Sequence, residues 1–236
     1  MNGVLYRGFV TEVEGAARSR NDLVADAMLE RLAGDPDLGR VRHRLQVTSF
    51  GGSGTTALVE HLVLVGADLP RTPGGFPFKH QPHPPAVDAV PVGFRTVFPF
   101  GDPRDAVLSV FRRDIQGAHY RGMRLRRPDA LAAGRLADLE AYLAGGVDEL
   151  GVVDQFRAWQ RGDLGFPVCF VRTDALASVW PEVRRFAGLR ESAPPFRVRS
   201  RTSDWRALPT GDRERLDAIY GELAAEIAAL PDVEVR

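Results

Sequence analysis

Residues 45–65 constrain this chain more than any other stretch. They read Leu-Gln-Val-Thr-Ser-Phe, then Gly-Gly-Ser-Gly-Thr-Thr, then Ala-Leu-Val-Glu-His-Leu-Val-Leu-Val. The order is that of a short β-strand, a glycine turn and an apolar-faced helix. Gly51, Gly52 and Gly54 carry no Cβ, so the backbone there can wrap closely around an anion. The N–H groups of Ser53, Gly54, Thr55 and Thr56 then fall at a helix N-terminus, where donors lack partners and the dipole favours negative charge. Two readings fit the stretch: a phosphate cradle and a plain glycine-rich turn. A Walker A loop is excluded, because no lysine follows Gly54.

The rest of the composition narrows the class. A chain of 236 residues is long enough for one domain with a substantial core. Its 31 basic and 31 acidic residues cancel, which gives no global electrostatic case for nucleic acid or a membrane surface. No apolar run is long enough to span a bilayer, and the first residues lack the pattern of a signal peptide. The single cysteine, Cys169, sits in an apolar run and reads as a buried, inert thiol, so a cytoplasmic location is expected. Among the 31 basic residues only Lys79 is a lysine. Arginine bias follows from base composition, but a lone retained lysine is a compact charge that can lose its proton, which arginine cannot do.

Read in order, residues 1–20 form an arm or an edge strand over 4–13. A capped amphipathic helix follows Asn21 and Asp22. After the glycine loop and its helix, residues 66–91 hold seven prolines and form a long loop carrying Lys79, His80 and His83. A second strand spans 94–100, weakened at its end by Pro99. Asp102, Pro103 and Asp105 then start a helix as N-cap, N1 and capping-box residues, with Ser109 opposite its apolar face. The arginine-rich stretch from Gly117 to Pro128 reads as a solvated or mobile segment, the alternative being a role in holding an anionic ligand. Helices over 136–143 and 152–161, a buried strand over 167–172, a helix over 175–187, an irregular basic stretch over 188–202 and a helix over 211–230 complete the chain. The alternation predicts an α/β fold, with three α/β/α layers around a central, mainly parallel sheet.

Taken together these segments resemble the sulfotransferases that use 3′-phosphoadenosine 5′-phosphosulfate (PAPS). Thr48-Ser-Phe-Gly-Gly-Ser-Gly-Thr-Thr is similar to their 5′-phosphosulfate loop, and Asp102-Pro-Arg-Asp-Ala-Val-Leu-Ser109 to the helix that holds the 3′-phosphate. Phe78-Lys79-His80 lies where the family has its Lys-Thr-His or Lys-His segment. Phe170-Val-Arg-Thr-Asp174 and the stretch from Arg199 to Trp205 resemble two later motifs. The resemblance covers residues 44–206 and implies a P-loop-like nucleotide-binding fold. It also implies PAPS as sulfuryl donor, a small-molecule or sugar acceptor and no metal. Gly51, Gly52, Ser53, Gly54, Thr55, Thr56, Arg104, Ser109, Arg199 and Arg201 would hold the donor, and Lys79, His80 and His83 are the catalytic candidates. Three positions depart from the family: Gly52 and Gly101 replace basic residues on the two phosphates, and Ala57 replaces a tryptophan on the adenine. Arg104, Arg112, Arg113, Arg199 and Arg201 are the available stand-ins.

In such a site the glycine loop supplies backbone donors, Lys79 stabilises the transferring or leaving oxygen, and His80 takes the acceptor's proton. On an extended chain Lys79 and His83 would share a side and His80 would not. Two other functions fit the same residues: a nucleotide-dependent phosphotransferase and a non-catalytic ligand-binding domain.

Overall fold

The computed structural model describes residues 11–13, 16–18, 43–69, 79–123, 133–197 and 202–236. The helix expected after Asn21, the arginines Arg199 and Arg201, and the basic residues from Arg124 to Pro128 lie outside them. In the first twenty residues the described part is an antiparallel pair of strands, β1 (Thr11–Val13) and β2 (Ala16–Arg18), which form a sheet of their own.

The main sheet has the order β3 (Leu45–Val47), β4 (Arg95–Phe100), β5 (Val168–Arg172) and β6 (Val233–Val235). The first three strands are parallel, with Val47 opposite Val97 and Val97 opposite Cys169. The last joins β5 antiparallel at the edge. The fold is therefore α/β with a mainly parallel, open sheet. β6 is missing from the sequence reading because Val-Glu-Val is too short for alternation to register.

Side chains of β4 and β5 alternate between two cores, as period 2 requires. Phe98, Phe100, Val168 and Phe170 pack on one face, with helices α2 (Pro103–Arg112), α4 (Leu139–Gly145), α5 (Val152–Trp159) and α7 (Thr210–Ala228). Val97, Cys169 and Val171 pack on the other, against α1 (Thr55–Leu64) and α6 (Trp180–Phe186). The Cys169 thiol is buried and pushed up to about 12 by desolvation, in keeping with an inert core residue.

Two sequence expectations change here. The stretch from Gly117, expected to be solvated, is helical as far as Met123 in α3 (Gln116–Met123), and it buries His119 and Tyr120. The helix expected from Ala175 begins only at Trp180, after hydrogen-bonded turns such as Ala175 N–H to Arg172 O. Pro99, by contrast, does not end β4. Arg95 N–H donates to Arg44 O and Thr96 N–H to Pro167 O, so odd residues of β4 face β3. The last rung on that side is Thr48 N–H to Val97 O, and the donor that Pro99 lacks would fall on the rung beyond it.

Candidate functional site

The glycine loop leaves β3 and enters α1 as the sequence suggests, and its own hydroxyls hold its shape. Ser53 Oγ donates to Phe50 O at 2.8 Å and lies 2.8 Å from Ser49 Oγ, which also touches Thr55 Oγ1. Ser49, Ser53 and Thr55 are all buried. Ser53 and Thr55, two of the residues expected to hold the donor, therefore spend their side chains inside the loop. Thr56 is the loop threonine whose hydroxyl faces outward, toward Lys79. Gly54 is the N-cap of α1 with φ 83°, and among the described residues the N–H groups of Gly54, Thr55 and Thr56 meet no acceptor. Thr173, just past β5, braces the loop from below: its hydroxyl lies 2.7 Å from both Ser53 O and Phe100 O and donates to one at a time.

Gly52 has a reason to be glycine. Its φ is +88°, and a Cβ there would run into the backbone carbonyl of Ala106 on α2. The loop lies so close to α2 that the basic residue of the resembled family has no room at this position.

Lys79 and His80 are brought to the loop by backbone pairing. Ser49 N–H donates to Lys79 O at 3.0 Å, and Gln81 N–H donates to Thr48 Oγ1 at 2.9 Å. From α5, Gln155 Nε2 donates to Ser49 O and Gln81 O, and Trp159 Nε1 donates to Gln81 O. Residues 79 and 80 form a turn, not an extended pair, so both side chains reach the loop and the expected alternation does not apply. Lys79 Nζ lies 3.3 Å from Thr56 Oγ1. Burial first, then the charge of Arg113, lower its pKa, and Glu60 acts the other way. His80 Nδ1 lies 2.9 Å from Ser49 O, and a carbonyl only accepts, so Nδ1 carries the hydrogen and Nε2 a lone pair. Burial, His119 and Lys79, in that order, push His80 well below the usual imidazole range, so it is neutral at pH 7. His83 is exposed and joins none of these contacts.

His119, which the sequence did not single out, and Arg113, which it offered only as a stand-in cation, complete the cluster. The His119 ring stands edge-on to His80, with centroids 5.0 Å apart, and lies over Gly51. Burial, with Arg113 and Lys79 adding to it, lowers its pKa to about 4. Arg113, at the end of α2, donates Nε to Ser109 O at 2.9 Å, and its charge acts on Lys79, His80 and His119. Among the described residues no carboxylate pairs with Lys79 or Arg113. A signal for His119 was present at the sequence level. Ile115 and His119 are four apart, and Tyr120 follows, which is the spacing of a buried helix stripe.

Other expected residues sit elsewhere. Arg104 is bracketed by Asp102 and Asp217 and stacks 3.8 Å over the Trp205 ring. Asp102 caps α2 as expected, accepting from Arg104 N–H, and Asp105 accepts from Trp205 N–H at 2.8 Å. Arg104 thus fastens α2 to the C-terminal elements and is not presented as an anion ligand. Ser109 is half-buried on α2. Arg112 donates to Ser203 Oγ and lines a cavity of about 530 Å³ with Leu108, Phe111 and Leu208, away from every residue of the loop. Among the described residues no three side chains are grouped to hold a metal ion. No helix among them is long and apolar enough to cross a membrane.

No protein-family model, curated protein or solved structure matches the chain. The functional reading therefore rests on the site itself.

Proposed function

We propose that the chain is a PAPS-dependent sulfotransferase on a three-layer, P-loop-like nucleotide-binding fold, acting on a hydroxyl or amine of a small metabolite or sugar. The observation that carries this reading is the convergence of Lys79 and His80 on the glycine loop. A compact cation and a neutral imidazole with a free Nε2 stand beside unpartnered N–H groups at a helix N-terminus. The residues present suit the 5′ end of the donor: Gly54, Thr55 and Thr56 would hold it through N–H groups, Thr56 through its hydroxyl and Lys79 through its charge. Arg113 takes the place of the basic residue that Gly52 cannot carry. At the 3′ end Gly101 and the engaged Arg104 leave Ser109 as the expected contact.

When bound, PAPS supplies the sulfuryl group and an adenosine 3′,5′-bisphosphate leaving group. His80 Nε2 accepts the proton of the acceptor hydroxyl, and its Nδ1 bond to Ser49 O keeps the ring in the tautomer that can do so. Lys79 and Arg113 offset the negative charge that gathers on the leaving oxygen.

Thermal shifts with adenosine 3′,5′-bisphosphate, ATP and GTP test this reading. A ligand at 100 times its Kd stabilises the native state by about 2.7 kcal/mol, and only the first should do so. Selective stabilisation by ATP or GTP would move the chain to the phosphotransferases. Stabilisation by the bisphosphate without turnover of PAPS would leave a binding domain. Ser109→Ala should weaken adenosine 3′,5′-bisphosphate more than the analogue lacking the 3′-phosphate.

A further inference from the structure

We propose that His119 is a ligand-binding residue of the glycine loop, donating its Nε2–H as an uncharged group to the sulfate- or phosphate-type oxyanion that the loop takes. The proposal rests on the reading that this loop binds an anion, and it adds a contact that no motif in the sequence assigns.

The position of the ring carries the argument. A Cβ on Gly51 would lie 2.5 Å from His119 Cε1, 2.7 Å from Nδ1 and 3.0 Å from Nε2. The imidazole thus occupies the space that a side chain at Gly51 would fill, and it forms one wall of the loop. His119 is only 6% exposed, and its Nε2 has no hydrogen-bond partner among the described residues. Buried polar atoms are nearly always satisfied, so an orphaned nitrogen pressed against an anion-binding loop points to a group that arrives with the ligand. The N–H groups of Gly54, Thr55 and Thr56, also without acceptors among the described residues, belong to the same loop.

The surroundings decide the form in which His119 acts. Lys79, Arg113 and the edge of His80 face it, and no carboxylate does so among the charges that act on it. Two cations and burial keep the ring neutral, so it contributes a directed hydrogen bond and no net charge. A metal bridge between the two imidazoles is disfavoured by the same two cations. A purely packing role would be served equally well by a phenyl ring, and this contrast makes the idea testable.

The test uses the full chain and His119→Phe, titrated calorimetrically with inorganic sulfate, pyrophosphate and adenosine 3′,5′-bisphosphate. Each ligand that the native chain binds should bind the phenylalanine variant at least about tenfold more weakly, the scale of one hydrogen bond to a charged acceptor. The melting temperature should barely move, because a planar ring still fills the wall over Gly51. The affinity ratio should stay flat across neutral pH. Histidine-labelled nitrogen NMR of the native chain should show a protonated Nε2 at His119 that shifts on titration, and this readout needs no variant. His119→Gln, which keeps a donor, should recover most of the loss.

Equal affinity in the phenylalanine variant would overturn the proposal, as would an unprotonated or unmoved Nε2 signal. A ratio that grows toward acid would overturn the uncharged donor. If the native chain binds none of the three ligands, the proposal fails together with the anion reading of the loop. If it binds sulfate and pyrophosphate through His119 but not the bisphosphate, the sulfotransferase reading fails and this one stands.

Discussion

At the scale of single residues, Lys79 and Gly52 show how little freedom the site has. Lys79 Nζ sits 3.3 Å from Thr56 Oγ1, a compact charge whose position a broad, planar guanidinium would not reproduce. Lys79→Arg keeps the charge, so the melting temperature should hold while turnover of PAPS falls at least about tenfold, or about 1.4 kcal/mol. Unchanged turnover would return Lys79 to a structural role. Gly52→Ala tests the opposite kind of constraint. At φ +88° with Ala106 O in the way, even a methyl group must push the loop off α2. The expected loss is about 2–4 kcal/mol by urea unfolding, well above the usual scale of substitution outside a core. A loss near zero would mean that the loop and α2 separate easily. The same geometry explains why a basic residue is missing at this point of an otherwise similar motif.

At the scale of elements, Thr173 connects the end of β5 to the loop and to β4. Thr173→Val preserves shape and removes the hydroxyl, leaving two buried carbonyls one donor short. Unfolding in urea should show a loss of about 1–2 kcal/mol, and ligand affinity should fall with it because the loop loses its brace. If stability falls and affinity does not, the brace is irrelevant to binding. The strand, loop and helix at residues 45–64 were legible from sequence because glycine punctuation and apolar spacing are local signals. So was the entry to α2, where Asp102 and Pro103 obey ordinary capping rules. What could not be read was long-range. Arg104 stands beside a resembled motif, yet its partner Asp217 is 113 residues away and out of reach of any local pattern. His119 was hidden for a different reason: its flanking arginines suggested solvent, although Ile115, His119 and Tyr120 already marked a buried face.

At the scale of the whole molecule, the half-buried His80 and the buried His119, both neutral, contribute to the response to acid. His80 and His119 are held below their unfolded pKa, near 6.5, so the native state resists protons that the unfolded chain accepts. Their contribution is complete above about pH 6.5 and is lost as pH falls toward the folded values. For His119, lowered to about 4, the loss is of order 3 kcal/mol across that window. Asp102 is lowered as well: burial pulls it up, but its bonds from Arg104 outweigh that, so its contribution fades only at still lower pH. Urea unfolding as a function of pH should show stability falling first between pH 6.5 and 4, and His119→Phe should flatten that slope. An unchanged slope would assign the acid response to other groups.

The proline in β4 carries a consequence of its own. The rung after Thr48 N–H to Val97 O would join a donor at position 99 to the Thr48 carbonyl, and Pro99 cannot supply it. β3 is thereby released from its neighbour just before the glycine loop. Stability is given up at the place where the chain bends into the loop proposed to bind the ligand. Pro99→Val should let the strands zip one rung further, giving a chain that melts later and binds adenosine 3′,5′-bisphosphate less well. A variant that gains stability and keeps full affinity would show that the release serves nothing. If the trade appears, evolution toward a sturdier version of this protein is blocked at a single backbone nitrogen.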